Sequence, residues 1–249
     1  MRAYKIALAA GAAILLTAGL AVAQPNVHAP KPSPVVMAAA ADKGRPAEDT
    51  ARDENRKPAE VVAVSGLKPG QSIIELGSAN GYYTRVLAKV LGPKGKLYAL
   101  VNAARPQSGD LVKALAPEYP NVTLVTDDYT KITAVPEKVD MVWTTDNYHD
   151  YHNALDMAAF DKAVFDALKP GGIFFVEDHA SAPGAGLSVT RTLHRIEPSV
   201  LKAEVLAAGF KLIRTSDVLA HPEDDHLKQN AETSIRGHTD RFIMVFQKP

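Results

Sequence analysis

Short apolar runs alternate with helix-patterned segments from residue 72 to the end of the chain. The runs are SIIEL (72–76), KLYALV (96–101), NVTLVT (121–126), KVDMVWTT (138–145), IFFVED (173–178), FKLIRTSD (210–217) and RFIMVFQ (241–247). Strands that alternate with helices predict a parallel sheet with helices on both faces. The sequence therefore predicts an α/β fold built on a doubly wound, seven-stranded and mostly parallel sheet.

The last two runs differ from the others because no convincing helix separates them. Helical spacing of apolar residues follows the first run and recurs over about 157–168 and about 198–208. Between 217 and 241 the chain is polar. The final two runs are therefore predicted to form a C-terminal hairpin, with one antiparallel strand at the end of the sheet.

The N-terminus has the pattern of an export signal. A short basic start, MRAYK, precedes the uncharged apolar run IALAAGAAILLTAGLAV, and Ala21-Val22-Ala23 matches the small-x-small cleavage rule. A permanent membrane anchor is the alternative, but the run is slightly short for a span and no stop-transfer flank follows. We predict a signal peptide over 1–23 and a periplasmic or secreted protein with no stable membrane span after cleavage.

Composition changes again near residue 50. Residues 24–50 are rich in Pro and Ala, which predicts a flexible linker, and residues 51–249 are predicted to form one domain. The absence of cysteine excludes disulfides and thiolate chemistry. The formal charge of zero gives no reason to expect nucleic acid or an anionic membrane as a partner. The oligomeric state is left open.

The turn after the first strand contains Gly77 and Gly81, spaced G-x-x-x-G. A dinucleotide site requires G-x-G-x-x-G, so this spacing argues against an NAD-dependent enzyme. Ala79 stands between the two glycines. If its φ is positive, its methyl group strains the turn.

Over roughly the last 190 residues the chain resembles the class I S-adenosylmethionine-dependent methyltransferases. ELGSANG (75–81) is similar to their first motif, and LKPGG (168–172), AAGF (207–210) and the closing hairpin are typical of them. ARDENRKPAEVV, NYHDYHN, TLHRIEP and RGHTDRF are similar to stretches in a group of exported, predicted methyltransferases. The resemblance implies methyl transfer from S-adenosylmethionine, here to an unknown small molecule.

The resemblance also implies a set of cofactor-binding residues at the ends of the first four strands. They are Glu75, Gly77, Gly81, Asn102, Asp127, Asp128 and Asp146. Asn102 takes the place of the acidic residue that binds the ribose hydroxyls, and it lacks the charge-assisted strength of a carboxylate. Asp127 or Asp128 stands where the adenine is contacted, and Asp146 and Asn147 stand where substrate and catalytic groups lie.

Histidines follow the fourth and fifth strands, whose carboxyl ends share one edge of the sheet. His149, His152, Asp178 and His179 are therefore predicted to converge as catalytic residues, one histidine serving as general base. Metal binding, for example of zinc, and ordinary loop hydrogen bonding are alternatives, although the spacing fits no strong zinc signature and we assign no metal ligand.

Charged residues elsewhere leave two interpretations open. Arg191, Arg195, Arg236 and Arg241 could clamp an anionic substrate or pair with nearby acids. Arg52, Asp53 and Arg56 are interpreted as an exposed, charged helix start. Two other functions remain as alternatives: a non-enzymatic ligand- or metal-binding protein on the same fold, and a metal-assisted hydrolase.

Overall fold

The computed structural model describes residues 30–249, so the predicted signal peptide and residues 24–29 lie outside the described part. The helices in that part are α1 Pro34–Ala40, α2 Ala47–Thr50, α3 Asp53–Arg56, α4 Pro58–Ser65, α5 Tyr82–Leu91, α6 Asp110–Leu115, α7 Tyr148–Tyr151, α8 Met157–Ala167 and α9 Pro198–Ala207, with a 3-10 turn at Pro106–Gly109. The strands are β1 Ser72–Leu76, β2 Lys96–Asn102, β3 Val122–Asp127, β4 Val139–Thr145, β5 Leu168–His179, β6 Lys211–Ser216 and β7 Arg241–Gln247.

The strands form one seven-stranded sheet in the order β3-β2-β1-β4-β5-β7-β6. Strands β1 to β5 pair in parallel, whereas β7 pairs antiparallel with both β5 and β6. The predicted doubly wound, mostly parallel sheet is confirmed. Only the place of the antiparallel strand differs, because β7 inserts beside β5 and leaves β6 at the edge.

Helices cover both faces of the sheet and explain why the strands carry so few polar residues. Ile73 packs with α1, α4, α5 and α6, while its neighbour Ile74 packs with α7, α8 and α9 on the other face. Successive side chains of a strand point to opposite faces, so a strand covered on both sides needs apolar residues in succession. All five residues of β1 are accordingly buried.

The N-terminal segment is more ordered than the linker prediction over 24–50. Residues 34–40 form α1, and Val36 is only 3% exposed within the core shared with α4 and α5. Asp49 is fully buried and forms ion pairs with Arg52 and Arg85. For residues 34–50 the linker prediction is therefore wrong, because this Pro- and Ala-rich segment buries two apolar side chains and an ion-pair network.

No helix within residues 30–249 is both long and apolar enough to cross a membrane.

Candidate functional site

The turn between β1 and α5 has left-handed backbone at alternate positions. Gly77 has φ +69° and Gly81 has φ +78°. A Cβ on Gly77 would lie 2.7 Å from Asn147 Nδ2, and one on Gly81 would lie 2.3 Å from Leu115 Cδ1. Both positions therefore need glycine for close packing as well as for backbone conformation. Ala79 has φ +46°, so the strain predicted for its methyl group is present.

A cleft of about 260 Å³ opens beside this turn, at the carboxyl ends of β1, β2 and β4. We call it the turn cleft. Its walls include Gly77, Ala79, Asn102, Tyr129, Asn147 and Asp150. Ligands of open α/β sheets bind at this edge, where the strand order reverses. In this chain the reversal falls between β1 and β4.

Tyr129 fixes the floor of the turn cleft. Its hydroxyl donates a hydrogen bond to the carbonyl of Leu100 at 2.7 Å and accepts one from the amide of Gly77 at 3.2 Å. This side chain therefore ties the glycine turn to β2. The sequence prediction missed Tyr129, because 52 residues separate it from Gly77 and no local pattern joins them.

Glu75 lies at the end of β1 and is only 3% exposed. Burial raises the pKa of its carboxyl to about 7, although Thr84 and Ser78 donate hydrogen bonds to the charged form. The side chain thus holds the first turn of α5 against β1. It also lines a second space of about 190 Å³, the connecting cavity, together with Gly77, Arg56 and Asp146.

Three other predicted cofactor contacts divide into one residue on the wall of the turn cleft and a pair away from it. Asn102 lies on the wall of the turn cleft, and its Oδ1 accepts from the amide of Ala104 at 2.9 Å, which leaves its amide nitrogen to donate. Asp127 accepts from the amides of Asp128 and Ala134, and Asp128 accepts from Thr130. Both aspartates therefore shape the loop after β3, and neither lines the turn cleft.

Asp146 follows β4 in left-handed backbone, with φ +57°. Its Oδ2 accepts a hydrogen bond from Arg56 Nη2 at 2.6 Å. Burial alone would raise the pKa of Asp146, but the Arg56 guanidinium and the nearby His179 imidazole hold it well below its usual range. The interpretation of Arg56 as part of an exposed helix start is wrong, since this side chain reaches across the site to β4.

A third space, the arginine cavity, measures about 450 Å³. It is lined by Arg52, Asn55, Arg56, Asp146, His179, Asn230, Arg236, Thr239 and Arg241, among others. It shares Arg52, Arg56 and Asp146 with the connecting cavity, which in turn shares Gly77, Ser78, Ala79 and Asn147 with the turn cleft. The three spaces therefore lie side by side along the carboxyl edge of the sheet, and we call them together the groove.

Three of the four predicted catalytic residues come together beside this groove. His149 Nδ1 lies 2.6 Å from Asp178 Oδ1, and the rings of His149 and His179 are 6.0 Å apart. Burial alone would lower the pKa of His149, but the Asp178 carboxylate raises it. Burial lowers the pKa of His179 to about 4, so this ring is neutral at pH 7.

His152 does not join the group, which corrects the predicted convergence of all four residues. Its Nε2 lies 2.9 Å from Glu204 Oε2, in a network with Tyr148 and Asp161 between α7 and α9. His149 lies in α7 and His152 directly follows it, but their rings bind different partners, Asp178 for His149 and Glu204 for His152.

A different trio has metal-ligand chemistry. Ligand atoms of His149, Asp150 and His194 all lie within 4.8 Å of one another. His194 Nδ1 is 2.8 Å from Asp150 Oδ1, and His194 has left-handed backbone with φ +52°. The Nδ1 of His149 contacts the buried Asp178, whereas its Nε2 faces Asp150. Histidines that bind a metal through one ring nitrogen are commonly oriented by a carboxylate at the other nitrogen. The sequence prediction missed Asp150 and His194 in this role, because they lie 44 residues apart.

Comparisons with known proteins give this geometry a context. No protein-family model matches the chain. A solved S-adenosylmethionine-dependent methyltransferase from Aquifex aeolicus superposes with a TM-score of 0.59 at 17% identity, covering 83% of this chain and 100% of that one. The fold is that of the class I methyltransferases. At this identity the likeness concerns the methyltransferase fold alone.

Sequence relatives with this fold are also methyltransferases. Putative rRNA 2'-O-methyltransferase fibrillarin 3 of Arabidopsis thaliana is 25% identical over 143 residues, which are 56% of this chain and 46% of that protein. Ribosomal RNA large subunit methyltransferase E of Nitrobacter winogradskyi is 26% identical over 174 residues, covering 58% and 70%. The matched region thus spans about half the length of the fibrillarin-like relative.

Proposed function

We propose that this protein transfers a methyl group from S-adenosylmethionine to a small molecule, and that it does so after export from the cytoplasm. The observation that carries the proposal is the row of three adjacent spaces that begins at the Gly77 turn and ends in the arginine cavity. A groove of this kind has room for a donor at one end and an acceptor at the other.

The residues present fit the donor. Gly77 and Asn102 line the turn cleft, and the amide nitrogen of Asn102 is left to donate toward a hydroxyl. Arg52 and Arg56 in the connecting cavity provide cations for a carboxylate. S-adenosylmethionine supplies a methyl group on a sulfonium centre, which is electrophilic without further activation. The protein's contribution is therefore mainly alignment.

His179 is the candidate general base. It lines the arginine cavity, and at neutral pH its ring is unprotonated because burial has lowered its pKa to about 4. As the acceptor nucleophile forms its bond to the methyl carbon, the carbon–sulfur bond of the donor breaks and the nucleophile loses a proton, which the His179 imidazole would take up. The Nε2 of His179 lies 3.3 Å from Asp146 Oδ1, and its Nδ1 lies 2.9 Å from the Thr239 hydroxyl. The buried His149–Asp178 pair packs behind His179 and positions it.

The small-molecule acceptor and export are both supported by features outside the groove. The acceptor end of the groove is a cavity of about 450 Å³, within the size range of small-ligand sites. Export rests on the signal-peptide pattern of residues 1–23. Expression of the full chain in a bacterial host, followed by N-terminal sequencing of the periplasmic fraction, tests it: a mature start at Gln24 supports export, and an intact cytoplasmic chain refutes it.

Donor binding is tested by calorimetry with S-adenosylmethionine on two matched variants, Gly77→Ala and Gly184→Ala. Both glycines have positive φ, at +69° and +84°, so both substitutions strain the backbone. Only the Gly77 variant drives a methyl group into Asn147, because nothing lies within 4 Å of a Cβ at Gly184. We expect wild type and Gly184→Ala to bind alike, and Gly77→Ala to bind at least about tenfold more weakly. No heat and no thermal shift at millimolar donor would refute the proposal.

Metal binding without catalysis is the second candidate, and the His149, Asp150 and His194 trio is the observation that favours it. Zinc titration of wild type, His194→Ala and His238→Ala tests it, His238 being an exposed histidine outside the trio. Stoichiometric zinc that is lost only in His194→Ala would support this candidate. Equal zinc uptake by all three proteins would reject it.

A further inference from the structure

We propose that the arginine cavity binds a carboxylate or phosphate group carried by the methyl acceptor, with Arg236 and Arg241 as its anion ligands. This inference rests on the proposed function, because it names the class of molecule that the groove accepts. It concerns the end of the groove that is farthest from the Gly77 turn.

The balance of charge around the cavity favours an anion. Its walls carry Arg52, Arg56, Arg236 and Arg241 but a single carboxylate, Asp146, which pairs with Arg56, while Glu177 next to the cavity pairs with Arg241. Arg52 pairs with Asp49, and that same carboxylate also binds Arg85, so the pairing leaves an excess of positive charge.

Arg236 is the cation without a partner. It is exposed at the cavity, and among residues 30–249 its guanidinium has no ion pair and no hydrogen bond. A guanidinium presents a planar fork of donors that matches carboxylate and phosphate oxygens, so a free one on a cavity wall is suited to bind either group.

Arg241 supplies a buried donor that also lacks a partner. It is only 4% exposed; Nη1 lies 3.3 Å from Glu177 Oε1, and Nη2 donates to the carbonyl of Asn55. Its Nε is buried and has no acceptor among the described residues. A buried polar group without a hydrogen bond is costly. Within residues 30–249, Asp146 Oδ1 and Glu177 Oε2 also lack a hydrogen bond, so Arg241 and these two carboxylates form an incompletely paired cluster at this wall.

Neutral donors complete the site. Asn55 and Asn230 line the same cavity, and each has an amide hydrogen that can donate to an anion's oxygens without adding charge. Asn230 uses its other amide hydrogen for the carbonyl of His194, and the hydroxyl of Thr239 bonds to His179 Nδ1. Arg52 and Arg56 stand at the boundary with the connecting cavity, within reach of the donor end of the groove. Arg236 and Arg241 belong to the arginine cavity alone, which assigns them to the acceptor.

The experiment measures anion binding and donor binding separately on the purified protein. Inorganic phosphate and succinate are titrated by calorimetry at low ionic strength, since salt screens such contacts. The variant is Arg236→Gln, which breaks no internal contact. The matched control is Arg191→Gln, which removes one exposed positive charge that lies outside the cavity and contacts only the carbonyl of Asn153.

We expect saturable binding of at least one anion by the wild type, with a Kd at least about tenfold higher in Arg236→Gln and unchanged in Arg191→Gln. Tighter binding of phosphate than of succinate indicates that the acceptor is a phosphate ester, and tighter binding of succinate indicates that it is a carboxylic acid. S-adenosylmethionine should bind wild type and Arg236→Gln equally.

Two results would overturn the inference. One is the absence of saturable binding up to roughly 10 mM of either anion. The other is an equal loss of affinity for S-adenosylmethionine and for the anion in Arg236→Gln, which would assign the cavity to the donor. Failure of donor binding with anion binding intact would instead count against methyl transfer, so the two proposals can fail independently.

Discussion

Replacing Ala79 by glycine should stabilise the protein, although glycine usually weakens a fold. Ala79 has φ +46°, where a side chain costs about 1–2 kcal/mol. Glycine removes that cost but loses about 0.5–1 kcal/mol more conformational freedom on folding. The difference between the two costs predicts a net gain of about 0–1.5 kcal/mol in the free energy of unfolding. In a domain of this size, each kcal/mol raises Tm by roughly 2–4 °C.

The control is the same substitution at a helical position. Ala203 is an exposed residue of α9, where Ala→Gly costs about 1 kcal/mol. Urea unfolding of wild type, Ala79→Gly and Ala203→Gly should therefore give changes of opposite sign. If both variants are destabilised to the same extent, the turn is not strained at Ala79 and the reasoning is refuted.

Three further changes test packing and charge. Val36→Ala should cost about 2 kcal/mol in urea unfolding because this side chain is buried in the core, whereas Val35→Ala, at an exposed position, should change little. Asp146→Asn should lower the free energy of unfolding by about 2–3 kcal/mol, because it leaves the half-buried Arg56 without its partner. Between pH 4.5 and pH 7, the free energy of unfolding of Glu75→Gln should rise by about 3 kcal/mol relative to that of wild type, measured by urea unfolding at each pH.

The sign of the Glu75 prediction follows from its raised pKa. The folded protein favours the neutral carboxyl, so this group stabilises the fold fully below its unfolded pKa near 4.5 and loses that stabilisation as the pH rises through about 7. Glutamine does not titrate and keeps a neutral side chain throughout. A difference in stability between the two proteins that stays constant across this range would show that Glu75 is not held neutral.

The sheet was predictable because its inner strands are buried on both faces, whereas the edge strands β3 and β6 are partly exposed. Strands that are covered on both faces need consecutive apolar residues, which appear as apolar runs in the sequence. Each of the seven predicted runs overlaps a strand. The position of β7 was not predictable, since both edges of a hairpin are open to pairing and the choice depends on contacts with β5. The helices at 34–50 were missed because only a few of their side chains are buried.

The site was predictable in position and only partly in composition. Parallel strands end at one edge, so Gly77, Asn102 and Asp146 could be placed there from the order of the strands. The direction of individual side chains could not be predicted from the sequence. His152 bonds to Glu204, and Asp128 bonds to Thr130 within its own loop. Those choices depend on partners distant in the sequence or on local turn geometry.

We propose that the methyl donor lies between the turn after β1 and the facing wall of the turn cleft. Hydrogen–deuterium exchange with and without S-adenosylmethionine, read at individual amides, measures this directly. We predict that the donor slows exchange at 77–81, 102–105 and 147–151, which border the turn cleft, and leaves the exposed loop at 182–188 unchanged. Binding that protects other segments while the turn at 77–81 exchanges as before would contradict the claim.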